Sequence, residues 1–287
     1  MAVELVEKYL PYVDEQFSTE SKKEYLTNQD FSFQGAHAVK IYKISTGKMN
    51  DYGRTGATGG NWSRYGAVES LDATTERKEL TQDRSFTFAI DALDTEETEG
   101  QLEAATALAR QMRQVVIPEV DTYTLGVMCE GAGNKPDAVE LTSDGIYDMI
   151  FDANSALDDA EAPETGRILV VTPATLLLMK KSKDSAGRYQ EMISAVLDES
   201  KREVGFVGSL DGMDVLKVSA KRLPENFGFM VAHPCATVAP TKLESYKTHD
   251  NPPGISGALV EGRIVYDAFV LDNKAKAIYY QESTPSV

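Results

Sequence analysis

The sequence predicts an α+β fold in which a compact body carries extended arms, and three observations lead there. A helix-periodic stretch from Asp94 to Glu130 is longer than ordinary compact domains need. Strand-like and helix-like segments interleave from about residue 142 to 245. The first 36 residues, and a strand pair with a very long loop over residues 37–91, read as arms. At 287 residues, 42% hydrophobic and 8% aromatic, the chain can bury one large core or two modest ones.

Residues 1–36 hold scattered apolar positions, among them Leu5, Val6, Tyr9, Phe17, Tyr25, Phe31 and Phe33, with no sustained period, and Pro11 ends any opening helical turns. Such an arm has too few local contacts to offset its ordering entropy, so it must lie against its own body or another copy.

From His37 the pattern becomes strand-like through Val39, Ile41, Tyr42 and Ile44, and it returns at Leu80, Phe86, Phe88 and Ile90. These read as an antiparallel pair joined by about 30 residues, far beyond a usual hairpin turn. The loop contains GRTGATGGNWSRYG and carries Trp62 beside Tyr52 and Tyr65, with Lys48, Arg54 and Arg64 outnumbering Asp51. Aromatics and arginines are the residue types enriched at protein contacts, although a solvated glycine-rich loop has the same composition. A phosphate-cradling loop is disfavoured, because Gly56, Gly59 and Gly60 lack the flanking strand, helix start and Lys-Ser/Thr pair.

In the long helix, Leu102, Ala105, Ala109, Met112, Val116, Val120, Tyr123 and Val127 recur on one face. Asp94 caps its start, and Glu96, Glu97 and Glu99 place negative charge at the positive end of the macrodipole. Pro118 removes one internal hydrogen bond and bends the rod, about 50 Å long at 1.5 Å per residue. The acidic helix start is opposite in sign to the basic loop tip. The expectation is that the tip of one copy lies over the helix start of the next.

Beyond the break GAGNKPD, a second helix begins at Ser143 with Ile146, Ile150, Ala153 and Leu157 on one face. Arg167–Thr172, RILVVT, reads as a strand covered on both faces, and Pro173 opens another helix. A further helix is expected over Tyr189–Lys201, with Met192, Ile193, Val196 and Leu197 inward. Strands follow near Met213–Ser219, Phe227–Ala232 and His233–Val238. RIVYDAFVLDNKAKAIYY from Arg263 reads as a terminal hairpin turning at Leu271–Lys274.

The net charge of −16, from 45 acidic and 29 basic residues, disfavours conventional nucleic-acid binding but suits a wall that holds a polyanion without gripping it. No run of about 18 apolar residues suggests a membrane span, and the first twenty residues are too acidic for a signal peptide. Cys129 and Cys235 are too far apart in sequence for a disulfide framework or a zinc spacing. His37, His233 and His249 have no motif spacing, so neither metal nor cofactor is expected. Cys235 two residues after His233 invites a thiol-enzyme reading, weakened by Pro234 between them and by the lack of an orienting third group.

Taken together, NQDFSFQGAHAVKIYKI, LTQDRSFTFAID, VVIPEVDTY and YDAFVLDNKAKAIYY, in this order of elements, resemble the tailed-phage major capsid proteins of the Hong Kong 97 type over nearly the full chain. The resemblance implies an N-terminal arm at 1–36, an E-loop at 37–91, a peripheral domain at 92–141 with the spine helix, an axial domain at 142–245, and a return to the peripheral domain at 246–287. It implies pentamers and hexamers of an icosahedral head around double-stranded DNA bound without sequence specificity, assembled in the host cytoplasm. Scaffolding and portal proteins are implied as further partners, the scaffold a separate protein because the arm begins at Met1. Lys48 is a candidate for an intersubunit isopeptide bond by position only. The intersubunit contact candidates are Lys48, Arg54, Trp62, Arg64, Asp94, Glu96, Glu97 and Glu99. The alternatives are an encapsulin-type compartment shell and, from another class, a cytoplasmic thiol enzyme.

Overall fold

The computed structural model describes residues 21–28, 38–44, 48–56, 63–67, 70, 73–93, 104–183, 187–189, 192–195, 201 and 204–284. The chain divides into two compact units. One is Phe33–Leu80; the other, the body, comprises Met1–Ser32 with Thr81–Val287.

In the smaller unit, β1 (Ala38–Ile44) and β2 (Ala73–Glu79) pair antiparallel over seven residues, from Ala38 opposite Glu79 to Ile44 opposite Ala73. The sequence reading makes 77–91 one partner of β1, and here the structure differs. The run breaks at Leu80–Thr81, and β3 (Gln82–Asp91) pairs with β11 (Gly257–Tyr266) of the body, from Gln82 opposite Tyr266 to Asp91 opposite Gly257. Alternation explains the split. Phe86 and Phe88 both need an apolar cover, and the body supplies it; β2, ATTERKE, has no such alternation.

β10 (Thr241–Asp250) completes a three-stranded sheet in the order β10-β11-β3. Tyr246, Val260, Ile264 and Tyr266 face the first half of a long helix through Leu108, Met112, Val116, Ile117 and Val120. Gly262 allows the closest approach in this layer, since a Cβ there would lie 2.3 Å from the Phe86 ring.

The helix runs from Ala104 to Glu130 as α2 (Ala104–Gln111), a π segment (Met112–Val116) and α3 (Ile117–Glu130), about 40 Å in all. The π segment sits just ahead of Pro118, and the Ile117 N–H donates to the Met112 carbonyl, five residues back. Proline lacks an N–H and its ring crowds the carbonyl four residues earlier, so widening the turn there relieves both problems. The expected cap at Asp94 and the acidic first turn lie outside the described residues.

The second half of the helix packs Leu125, Met128 and Cys129 on a different sheet, with strand order β13-β8-β4-β7-β6-β5. These strands are β4 (Ile168–Val171), β5 (Ser194–Ala195), β6 (Phe206–Leu210), β7 (Met213–Lys217), β8 (Phe227–Ala232) and β13 (Ile278–Glu282). Only β4 and β7 run parallel. Side chains alternate by face: Ile168, Val170, Met230 and Ala232 join the helix side, while Leu169, Val171, Phe229 and Val231 point the other way. That second face is covered by α4 (Ile146–Asp159) and α5 (Pro173–Lys181) through Ile146, Ile150, Leu157, Leu176 and Met179. Coverage on both faces is why RILVVT and FGFMVA are continuously apolar. Thr172 caps α5 by accepting from the Thr175 N–H at 3.0 Å.

Three further expectations need correction. The helix proposed over 189–201 is not helical in its described part: Tyr189 bridges to Lys183, Met192 is 41% exposed, and Ser194–Ala195 forms β5 on the edge of β6. Gly208 admits that pairing, because a Cβ there would clash with Ile193 and the Ser194 carbonyl, and strand pairing overrides helix propensity. His233–Val238 is a 3-10 turn (Pro234–Ala236) followed by the two-residue β9 (Thr237–Val238), since Pro234 favours a tight turn. The terminal hairpin is absent. β11 ends in the small sheet, β12 (Phe269–Val270) pairs with β9, a 3-10 stretch covers Asp272–Ala277, and β13 enters the large sheet beside β8.

Candidate assembly interface

The loop tip of the Phe33–Leu80 unit has local order. The Gly53 N–H donates to the Arg64 carbonyl at 2.9 Å, so residues 53 and 64 meet at its neck. Tyr52 and Tyr65 stack edge to face, with ring centroids 5.0 Å apart. The pair is nevertheless open: Tyr52 is 51% exposed, Tyr65 77% and Met49 fully. Lys48, Arg54 and Arg64 are exposed as well. The structure therefore brings Arg54 and Arg64 to one neck. Trp62, Asp94, Glu96, Glu97 and Glu99 lie outside the described residues.

Charge is unevenly divided between the units. Residues 33–80 contain seven lysines and arginines against five carboxylates, a net of +2, which leaves −18 on the other 239 residues. A basic module on an acidic body is attracted to the body of any other copy.

Two buried carboxylates hold the points where the arms join the body. Asp121, fully buried on α3, accepts from Ser21 Oγ at 2.9 Å, the Lys22 N–H at 3.1 Å and Arg222 Nη1 at 3.0 Å. Lys22 Nζ reaches the Val204 carbonyl, Lys23 Nζ donates to Thr241 Oγ1, and Leu26 of α1 (Lys23–Leu26) is buried in the large core. Asp267, after β11, accepts from the Thr81 N–H and hydroxyl and from the Tyr123 hydroxyl, all at 2.8–2.9 Å, and from the Ala268 N–H at 2.7 Å. Burial and the Asp267 hydrogen bond raise the pKa of Tyr123, which keeps it a donor. Asp121 and Tyr123 stand two residues apart, about 200° around the helix, so one turn of α3 serves both joints. Sequence reasoning missed both aspartates. The signal was present for Asp121, a charge with apolar residues four positions before and after it, Ile117 and Leu125.

The thiol-enzyme geometry is not assembled. His233 Nδ1 accepts from the Cys235 backbone N–H at 3.1 Å, and Nε2 lies 3.0 Å from the Thr165 carbonyl, so backbone groups occupy both ring nitrogens. Burial raises the Cys235 pKa, the opposite of activation. Cys129, deeper in the core, is pushed up to about 12. An open groove of about 690 Å³ between α5 and residues 220–227 has Glu140 and Glu225 as its only ionisable lining residues. Among the described residues, no three His, Cys, Asp or Glu side chains cluster as metal ligands, and no helix is long and apolar enough to cross a membrane.

No family model matches the sequence, and no curated protein matches it. Solved structures do match. A structure of Mycobacterium phage Che8 superposes with a TM-score of 0.64 at 19% identity, covering 91% of each chain. The mature capsid of bacteriophage PhiM1 gives 0.64 at 12% identity, over 91% of this chain and 85% of that one. A virus-like particle from Pyrococcus furiosus gives 0.57 at 13% identity, over 98% and 100%. With nearly the whole chain matched in each case, the fold is that of the tailed-phage capsid proteins of the Hong Kong 97 type.

Proposed function

We propose that the chain is a major capsid protein, whose copies form the pentamers and hexamers of an icosahedral phage head around double-stranded DNA. The observation that carries this reading is the match to the PhiM1 mature capsid across nine-tenths of the chain, arms and body together. The regions follow the expected plan: arm 1–36, E-loop 37–91 with Phe33–Leu80 as its compact part, peripheral domain 92–141 and 246–287, axial domain 142–245. The chain is then a structural protein of the virion with no reaction to catalyse. It is assembled in the host cytoplasm, with scaffolding and portal proteins as further partners.

The division of charge supports the same reading. A unit of net +2 presenting Met49, Tyr52, Tyr65, Arg54 and Arg64 finds, on a second copy, a body of net −18. The acidic start of the long helix, Asp94, Glu96, Glu97 and Glu99, is the proposed seat for the tip, with Lys48 and Trp62 in the same contact. Electrostatics sets register there more than affinity. A lining of net negative charge repels packaged DNA and leaves it free to move.

Electron microscopy of the purified protein, expressed with and without its neighbouring genes, tests this. Closed shells built of five- and sixfold clusters are expected, with DNA inside when the packaging genes are present. Single copies under every condition would end the capsid reading, and shells filled with an enzyme would transfer it to a cargo compartment, as the Pyrococcus furiosus match allows.

A further inference from the structure

We propose that Gln82–Ser85, the first four residues of β3, form a strap held shut by Asp267, and that opening it lengthens the tether of the Phe33–Leu80 unit. The clasp is complete in itself. Thr81 gives Asp267 Oδ2 its N–H at 2.8 Å and its hydroxyl at 2.9 Å, while Tyr123 and Ala268 fill Oδ1. Asp267 is 3% exposed, and no ion pair reaches it among the described residues, so neutral donors alone hold the charge.

Between this clasp and Phe86 the strand has little else to hold it. Asp83, Arg84 and Ser85 are exposed, and the side-chain ties are Arg263 to Asp83 and Arg84 to Glu119, every member at least 39% exposed. Pairs so open to water add little to stability. At Phe86 the character changes. Its ring lies over Gly262 and packs against the Leu108, Met112 and Tyr246 core, and Phe88 follows it. The strand therefore has a loose end closed by one carboxylate and a firm remainder, the arrangement in which local opening stops short of global unfolding. Freed, Thr81–Ser85 would add roughly 17 Å of extended chain.

The use of that reach rests on the capsid reading: a closed shell of pentamers and hexamers places neighbours at unequal spacings, and an adjustable tether meets them without unfolding the body. The device itself is tested without assembly. Hydrogen exchange on the full-length, unassembled chain compares Gln82–Ser85 with Thr87–Asp91. In the unaltered chain the first segment should exchange faster. In Asp267→Asn the amide NH₂ must face one of the two donor pairs, and the first segment should speed up at least tenfold while the second stays within twofold. Thr81→Ala removes one donor with little risk to folding and should speed the first segment several-fold; it decides the matter alone if Asp267→Asn fails to fold. Equal acceleration of both segments, or a response in neither, overturns the strap. A chain that forms no shells leaves this readout intact, so failure of the capsid reading and failure of the strap are distinguishable.

Discussion

The six-stranded lobe and the Phe33–Leu80 unit solve opposite problems with one chain. In the lobe, each central strand is sealed on both faces: Leu169, Val170, Val171, Phe229, Met230 and Val231 are all 0% exposed. The smaller unit is a two-stranded ribbon, and its described loop residues include Met49, Tyr52 and Tyr65, left open to solvent. A lone ribbon is marginal in water, and exposed aromatics beside arginines are the composition of a contact surface. The lobe finishes its burial within the chain. The ribbon leaves it unfinished, and its charge is opposite in sign to that of the body.

That contrast can be broken at either end. The largest stability effect should come from Phe229→Ala, which removes a fully buried ring at the centre of the sheet. A loss of about 3–5 kcal/mol is expected from the denaturation midpoint, and a loss below about 1 would mean that the lobe is not the chain's main core. Next is Asp121→Ala, which strips three donors of their acceptor and frees the Ser21 joint; because Arg222 stays partly exposed, about 2–3 kcal/mol is expected, with earlier proteolysis near Ser21.

A graded effect follows from pH. Burial raises Cys129 from its ordinary 9.0 to about 12 and pushes Tyr266 and Tyr280 up to about 12. Each group holds its proton more tightly folded than unfolded, so stability present below the unfolded pKa declines as pH climbs from about 9 towards 12. At most ~1.4 kcal/mol per group is lost for each pH unit. Denaturation midpoints at neutral and at strongly alkaline pH measure it. Iodoacetamide should spare Cys129 in the native chain and modify it after unfolding.

The smallest stability effect, within about 0.5 kcal/mol, belongs to the tip double variant Arg54→Glu, Arg64→Glu. Its expected consequence is failed assembly of a correctly folded chain, seen by sedimentation. Normal assembly of that variant would remove the tip from the interface.

How much of this was legible depended on how far a residue's fate is decided by its neighbours in sequence. RILVVT, the face Ile146, Ile150, Ala153 and Leu157, and the proline-led α5 were readable because period and capping are local. The β6–β7 hairpin was missed although its signal was there: Asp211 and Gly212 take φ of 49° and 77°, the two-residue turn that Asp-Gly favours. The division between β2 and β3 was not readable, since it depends on β11, more than 160 residues along the chain. At the candidate interface the basic, aromatic tip was visible in composition. Asp267 was hidden, because an aspartate before Ala268 and Phe269 looks like a turn residue until Thr81 and Tyr123 are brought to it.

The widened turn at Met112–Val116 sets the rotational phase of everything after it. Arg113, Gln114 and Val115 face solvent there, so by burial alone any one of them looks expendable. Deleting one to restore a regular α-helix would rotate the following four turns by about 100° and draw them back by about 1.5 Å. Leu125, Met128 and Cys129 would swing off the large sheet, and Asp121 would turn away from Ser21. A loss among water-facing residues would then dislocate more of the molecule than most substitutions in its interior.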